Sequence, residues 1–467
     1  MTMAAVDTST SKLNVAASPT PPRVVPPKRP QGRLAFAANF IRNPLASIPD
    51  AVYEQDFVAY DKGRIPLAWI TDPAYIKTVT LDNWQDFSKV AQKRLLGPLL
   101  GNGILTAEGQ EWKWQRQTSA PMFRHQDLFA MVPPIVEATE AYLATLSHTS
   151  TGEARAIDKD MTGVTFDVIS ATLLPGGNAA MEHAIEHNTG RFQASTGWML
   201  LFALANIPSW VPRPGGSSRK QGVHVLRSSV LSLIERRRRA VTKPDDLMQR
   251  LMDAKNPETG QQMSDEQLID NLLTFYLAGH ETTAKALTWT LYLLSRAPDW
   301  EARVVEEVRQ VVGEGSVKAE HLDKLILTQQ VLKESMRLYP PVPQFGRSAL
   351  KDCTFGPHQV KAGTQILIPI YAIQRHRKYW NNPDEFDPSR FEREKEAKIP
   401  RYQYMPFGAG PRICIGMAFA MMEATAILAT LVRAARFTSS PSHNPEPISR
   451  VTLVPKGGMP MQVIRRP

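Results

Sequence analysis

The chain has 467 residues, with 55 Lys plus Arg against 45 Asp plus Glu, a formal net charge of +10. That length supports a large core and by itself would suggest about three domains. Two cysteines, Cys353 and Cys414, exclude a disulfide framework and a Cys-x-x-Cys zinc site, and suit a reducing compartment. The basic excess alone does not argue for nucleic acid, and no nucleic-acid partner is expected.

Residues 1–30 are rich in Ser, Thr, Ala and Pro and read as a disordered or extended tail ahead of a single domain over 31–467. No signal-peptide pattern and no run of about 20 apolar residues lies near the N-terminus. The run Leu34–Ile41 is short and meets Arg42 and Pro44, so no transmembrane anchor is expected and a cytoplasmic location is favoured. A strand is predicted over Ile65–Ile70. Trp112 and Arg116, four apart, share one face of a helix. The apolar stretch Trp198–Trp210 reads as packing or as an access channel, and Arg236–Arg239 as the capping end of a solvated helix.

Ser264 and Gln267 form a capping box at the start of a long helix that Pro298 ends. Apolar residues cover nearly all faces of its middle, so it should be buried. Within it, Ala278-Gly-His-Glu-Thr-Thr283 is locally costly, and a Thr282 hydroxyl bonded one turn back would bend or open the helix. Glu334 and Arg337 sit at i, i+3 on another helix. A strand is predicted at Gln365–Ile370. The run Phe407-Gly-Ala-Gly-Pro-Arg-Ile-Cys-Ile-Gly416 holds Cys414 in a glycine turn before an apolar helix read as Met417–Phe437, whose N-terminal dipole and amides favour a thiolate. Two short strands, Val451–Leu453 and Met461–Ile464, flank a turn at Lys456-Gly-Gly-Met459.

The Cys414 run resembles the heme-binding signature of the cytochrome P-450 superfamily, Phe-x-x-Gly-x-Arg-x-Cys-x-Gly, at every specified position. The likeness extends from about residue 50 to the C-terminus. Ala278–Thr283 resembles the family's oxygen-activation motif. Glu334, Arg337 and Arg390 of Pro388-Ser-Arg-Phe391 resemble its buried ionic triad, and Trp112-Lys-Trp-Gln-Arg116 its Trp-x-x-x-Arg. What the resemblance implies is a mainly α fold with a small β-rich portion, binding heme b (iron protoporphyrin IX) through Cys414. Phe407 would shield the sulfur, Gly416 would let the following helix approach the macrocycle, and Trp112, Arg116, Arg347 and Arg412 would contact the propionates. Thr282 and Glu281 would serve oxygen and proton delivery. His376 reads as structural.

The implied activity is a monooxygenase inserting one oxygen atom of dioxygen into an apolar substrate, of a soluble bacterial type. Alternatives are a peroxide-driven peroxygenase and a non-enzymatic heme-thiolate sensor. No glycine-rich dinucleotide fingerprint follows a predicted strand, so electrons are expected from a ferredoxin or flavodoxin with its reductase. Lys113, Lys378, Arg393, Lys395, Lys398 and Arg401 are placed to steer such an acidic partner. Leu95, Leu96, Leu99, Phe275, Ala278, Val342, Phe345 and Met459 are candidate pocket residues, and the 456–459 turn resembles a family hairpin that dips towards the substrate.

Overall fold

The computed structural model describes residues 20–29, 31–60, 66–146, 153–174, 196–204, 207, 211 and 216–466. Its longer helices are α1 (Arg33–Arg42), α2 (Val90–Leu100), α3 (Gly109–Ser119), α4 (Val132–Thr145), α5 (Ile157–Thr172), α6 (Thr196–Leu204), α7 (Gly216–Arg239), α8 (Asp265–Arg296), α9 (Pro298–Val312), α10 (Ile326–Leu338) and α11 (Met417–Ala434). The strands β1 (Phe57–Tyr60), β2 (Leu67–Ile70), β3 (Phe87–Ser88), β5 (Phe345–Ala349) and β8 (Gln365–Ile368) form one sheet in the order β1-β2-β8-β5-β3. Only β2 and β8 pair in parallel within it. The remaining strands make small sheets: β4 (Ala154–Ala156) with β12 (Pro460–Arg465) and β9 (Ala435–Thr438), β6 (Cys353–Phe355) with β7 (His358–Val360), and β10 (Pro447–Ser449) with β11 (Leu453–Pro455). The architecture is thus mainly α with a small β-rich portion, as expected.

Helix α8 is the axis of the core. Ser264 caps it, with Gln267 reaching back to the Ser264 amide. At 1.5 Å per residue it runs about 48 Å, and most of its residues are buried on every side. It packs on α5, α7, α10 and α11. The Thr282 hydroxyl does bond back to the Ala278 carbonyl, at 2.7 Å, yet the helix continues unbroken through it. The back-bond is thus accommodated within a continuous, well-packed helix.

Several placements differ from the sequence reading. The strand predicted at Gln365–Ile370 ends at Ile368, that at Ile65–Ile70 begins at Leu67 with Ile65 outside the described residues, and that at Met461–Ile464 spans Pro460–Arg465. Helix α11 stops at Ala434, and Phe437 lies on β9, where its strand pairs with β12; the apolar run continues across the change, so hydropathy does not mark it. The strand placed at Val451–Leu453 begins at Leu453 instead. Residues 20–29, expected in a free tail, are extended but docked: Tyr339 donates to the Pro22 carbonyl (2.7 Å), the Val24 amide donates to Tyr371 Oη (3.2 Å), and Arg23 pairs with Asp384. Residues 1–19 and 30 lie outside the described residues. In the basic run, Arg237 is buried and makes a bidentate pair with Asp246, 2.8 and 2.7 Å, so the run is not merely a solvated cap. In the stretch Trp198–Trp210, α6 packs against α1 and α2, and 205–206 and 208–210 lie outside the described residues.

The expected ionic triad is present. Arg337 donates to both Glu334 oxygens at 2.7 and 2.8 Å, with both side chains fully buried. Arg390 approaches Glu334 at 3.5 Å. Arg337 also donates to the carbonyls of Gln374, Pro383 and Glu385. Gln374 in turn donates to the Met336 and Arg337 carbonyls and accepts from the Met405 amide (3.1 Å), two residues before Phe407. Removing one ion leaves the other buried without its partner. Glu334→Ala should therefore lose about 3–5 kcal/mol of stability, read by urea unfolding; an unchanged midpoint would show that the network is dispensable.

Candidate active site

One cavity has helix α8 on one wall, through Phe275, Ala278, Gly279, Glu281, Thr282 and Thr283. The loop Phe407–Gly416 forms another wall. Two left-handed glycines shape that loop, Gly408 at φ 76° and Gly410 at φ 69°. At Gly410 a Cβ would stand 1.7 Å from the Thr80 carbonyl oxygen, so the loop can close against the segment Thr78–Asp82 only with glycine there. The Cys414 amide then donates to the Phe407 carbonyl at 2.9 Å, closing the turn. Cys414 is exposed, and the space it meets is this cavity. Its surroundings push the thiol up, while the Gly416 amide and the Arg116 charge pull it down. A bound cation would complete the shift to thiolate. Phe407 lines the same cavity. At Gly416 a Cβ would make only ordinary contact with Phe123, so protein packing does not require glycine there.

The α8 wall combines close packing with polar groups. A Cβ at Gly279 would meet Ile169 of α5 at 2.4 Å, so the glycine serves helix–helix approach as well as the cavity. Glu281 is buried and accepts from Thr452 Oγ1 at 2.6 Å. Thr283 donates to Glu423 of α11 at 2.9 Å. Glu423 is fully buried, its Oε1 has no hydrogen-bond partner, and burial pushes its carboxyl up to about 8. His280 lines a separate cavity beside Asp160, Phe166 and Asp167.

A third set of lining groups is cationic. Arg116 donates to the Ile413 carbonyl (2.9 Å) and Arg412 to the Ala107 carbonyl (2.8 Å), with the Arg412 guanidinium 3.8 Å over the Trp112 ring. Arg347 is buried and donates to the Gly346 carbonyl (2.8 Å). Lys89, which the sequence reading did not single out, is buried beside them and donates to the Leu105 carbonyl. Burial pulls Arg347 and Arg412 down to about 10, and burial with the neighbouring Arg347 and Arg412 charges pulls Lys89 well down. Glu108 offsets part of this. Buried like charges at this density call for an anion.

A family model, Cytochrome P-450, matches residues 49–461. The chain belongs to the cytochrome P-450 family. It is 33% identical over 415 residues to cytochrome P-450 72A13 of Arabidopsis thaliana, covering 85% of this chain and 80% of that one. It is similar to an 11-oxo-beta-amyrin 30-oxidase of Medicago truncatula (33% identity; 85% and 78% covered) and to a cytokinin hydroxylase of Arabidopsis thaliana (33%; 89% and 82%). The crystal structure of the cytochrome P-450DA heme domain superposes with a TM-score of 0.80 at 24% identity, covering 95% of this chain and 98% of that one, which shows the fold. These relatives are plant proteins and give no support to a soluble bacterial type. Among the described residues one helix, Met417–Ala434, is long and apolar enough to cross a membrane, and most of it is buried in the core.

As a cytochrome P-450 the chain is an oxidoreductase with heme b as cofactor. The donor set fits that group, with a thiol on one wall and buried cations at the edge that two propionates would neutralise. Of the expected pocket residues, Leu96, Leu99, Phe275, Ala278, Val342 and Phe345 line the cavity of this P-450. Leu95 and Met459 do not. Met459 is stapled to the start of α5, its amide donating to Asp158 (2.8 Å) and its carbonyl accepting from the Ile157 amide (3.0 Å). Val451 and Thr452 line the cavity instead of the 456–459 turn.

Glu423 generates a pH prediction. Its folded value, about 8, lies above the ordinary 4.5, so the native state holds more protons than the unfolded state between these limits. Stability should fall as pH rises through that window, by at most about 1.4 kcal/mol per unit. Glu423→Gln should flatten the melting temperature against pH over that range; parallel wild-type and variant profiles would refute the buried neutral carboxyl.

Proposed function

We propose that this P-450 is a heme-thiolate monooxygenase in which Cys414 ligates the iron and the α8 groove at Glu281 and Thr282 manages protons. The observation that carries this is that Cys414 and the Glu281–Thr282 groove open onto the same cavity from different walls. When bound, heme supplies the oxygen chemistry, and a thiolate ligand favours O–O cleavage. The protein's part is to bind, orient and protonate. Trp112, Arg116, Arg347 and Arg412, joined by Lys89, would hold the propionates through charge-assisted hydrogen bonds. Leu96, Leu99, Phe275, Val342 and Phe345 exclude water and seat an apolar substrate. Thr452 fixes the Glu281 carboxylate, which can take a proton and pass it into the cavity. Thr282 turns its hydroxyl hydrogen to the Ala278 carbonyl, leaving its oxygen lone pairs for a donor in the cavity.

Fatty acids, terpenoids, steroids and aromatic compounds all suit such a lining. The names of two relatives include an oxo-beta-amyrin and a cytokinin, chemically unlike compounds that do not select one class. For the electron donor we propose an acidic ferredoxin or flavodoxin with its reductase. Lys113, Arg393, Lys398 and Arg401 are exposed and available to it, whereas Lys378 and Lys395 already pair with Asp56 and Glu392 at 3.1 and 3.0 Å.

Two experiments test the assignment. The reduced carbon monoxide complex should show the red-shifted Soret band of thiolate ligation. Cys414→Ala should lose it and Cys353→Ala should keep it; the reverse outcome would overturn the ligand. Thr282→Ala should still bind heme and consume reducing equivalents, with product per electron pair down at least about tenfold and hydrogen peroxide released in its place. Peroxide supplied directly should restore part of the product. Unchanged coupling would reject a proton role for Thr282, and wild-type turnover with peroxide but with no reduced ferredoxin or flavodoxin would favour the peroxygenase.

A further inference from the structure

The turn that follows α2 is built around one carboxylate. Gly101 has φ 50°, and a Cβ there would stand 2.1 Å from Asp270 Oδ2; at Gly103 a Cβ would stand 2.4 Å from Thr274 Oγ1. The Asn102 amide donates to Asp270 Oδ2 at 2.7 Å, and the Ile104 amide donates to the side chain of Asn271 at 2.9 Å. The residues flanking this turn, Leu99, Leu100, Ile104 and Leu105, line the cavity. Asp270 is therefore a tether for one apolar wall of the substrate chamber.

The second oxygen of the same carboxylate faces another element. Arg227 of α7 donates to Asp270 Oδ1 at 2.8 Å and also pairs with Glu266. Side-chain exposure is 9% for Asp270 and 22% for Arg227. One buried charge thus serves a glycine-rich turn with one oxygen and helix α7 with the other. Hydrogen bonds to an ionised group are about twice as strong as neutral ones, and glycine turns gain the most freedom on release.

We propose that the Arg227–Asp270–Asn102 clamp is a specificity-determining device. By tying the turn after α2 to both α7 and α8, it sets how large a ligand the chamber admits. Asp270 acts here as a positioning residue, not a catalytic one. The size test rests on heme being bound as described above; the backbone test does not. Arg227→Gln removes the tie to α7 while leaving the Asn102–Asp270 bond, and Asp270→Asn weakens both.

The experiment compares wild type with both variants, each heme-loaded. Amide hydrogen exchange is followed over residues 99–107. Association of imidazole, a small iron ligand, and of clotrimazole, a bulky one, is followed optically. Expected for Arg227→Gln are exchange about tenfold faster in that segment, clotrimazole association at least about fivefold faster, and imidazole association within about twofold of wild type. Unchanged exchange overturns the clamp. So does faster exchange with both azoles altered by the same factor or with neither altered. If Asp270→Asn fails to fold, Arg227→Gln decides alone. If wild type gives no azole shift, the heme assignment fails, and the exchange result still decides the clamp.

Discussion

The buried Glu334–Arg337 pair is the fixed point from which the site is built. An ion pair with no solvent exposure contributes little net stability, because desolvation offsets most of the attraction. It demands geometry instead. Every Arg337 donor must be satisfied, and the satisfying acceptors are the carbonyls of Gln374, Pro383 and Glu385, besides Glu334 itself. Gln374 passes the constraint on, through its side chain, to the Met405 amide. The loop that presents Cys414 is thus anchored two residues before it begins, and Gly410 against Thr80 fixes its far side. A sulfur proposed to meet a metal at one distance would need a frame of this rigidity.

The opposite wall is registered to the same frame by a different bond. Thr283 on α8 donates to Glu423 on α11, and α11 begins three residues after Cys414. The separation between the Glu281–Thr282 groove and the sulfur is therefore set by two helices joined inside the core. Burial keeps Glu423 protonated near neutral pH, so this joint adds no charge beside the cavity. The cations lie elsewhere on the lining, among Lys89, Arg347 and Arg412, where an anionic cofactor edge would relieve them. Cationic charge is thus kept apart from the groove proposed to manage protons.

Sequence legibility followed the range of the interactions. Local chemistry was readable: the Ser264 capping box, the Cys414 turn, the Thr282 back-bond and the Glu334–Arg337 spacing each lie within a few residues. Long-range partners were not. Lys89 carries no motif, and only the approach of β5 and the 410–412 turn makes it part of a cation cluster. Gln374 and Glu423 look like ordinary residues until the chain brings Met405 and Thr283 to them. Met459 failed for a related reason. A turn between two strands can dip either way, and the Asp158 contact that holds it against α5 comes from 301 residues away.

The same division explains why activity and substrate are unequally legible. The proposed chemistry rests on α8, the Cys414 loop and α11, parts in which a small displacement would break several buried bonds at once. The chamber is closed by segments outside those parts: the turn after α2, Val342 and Phe345 beside β5, and Val451–Thr452 ahead of β11. Apolar contacts in these segments constrain volume more than identity. A change of one leucine alters which molecule fits while the thiol, the groove and the cations stay in register. Selectivity is therefore open to change in these segments, and polar ties that fix them, such as Asp270 on the Asn102 amide, bear on it through position rather than through contact with the ligand.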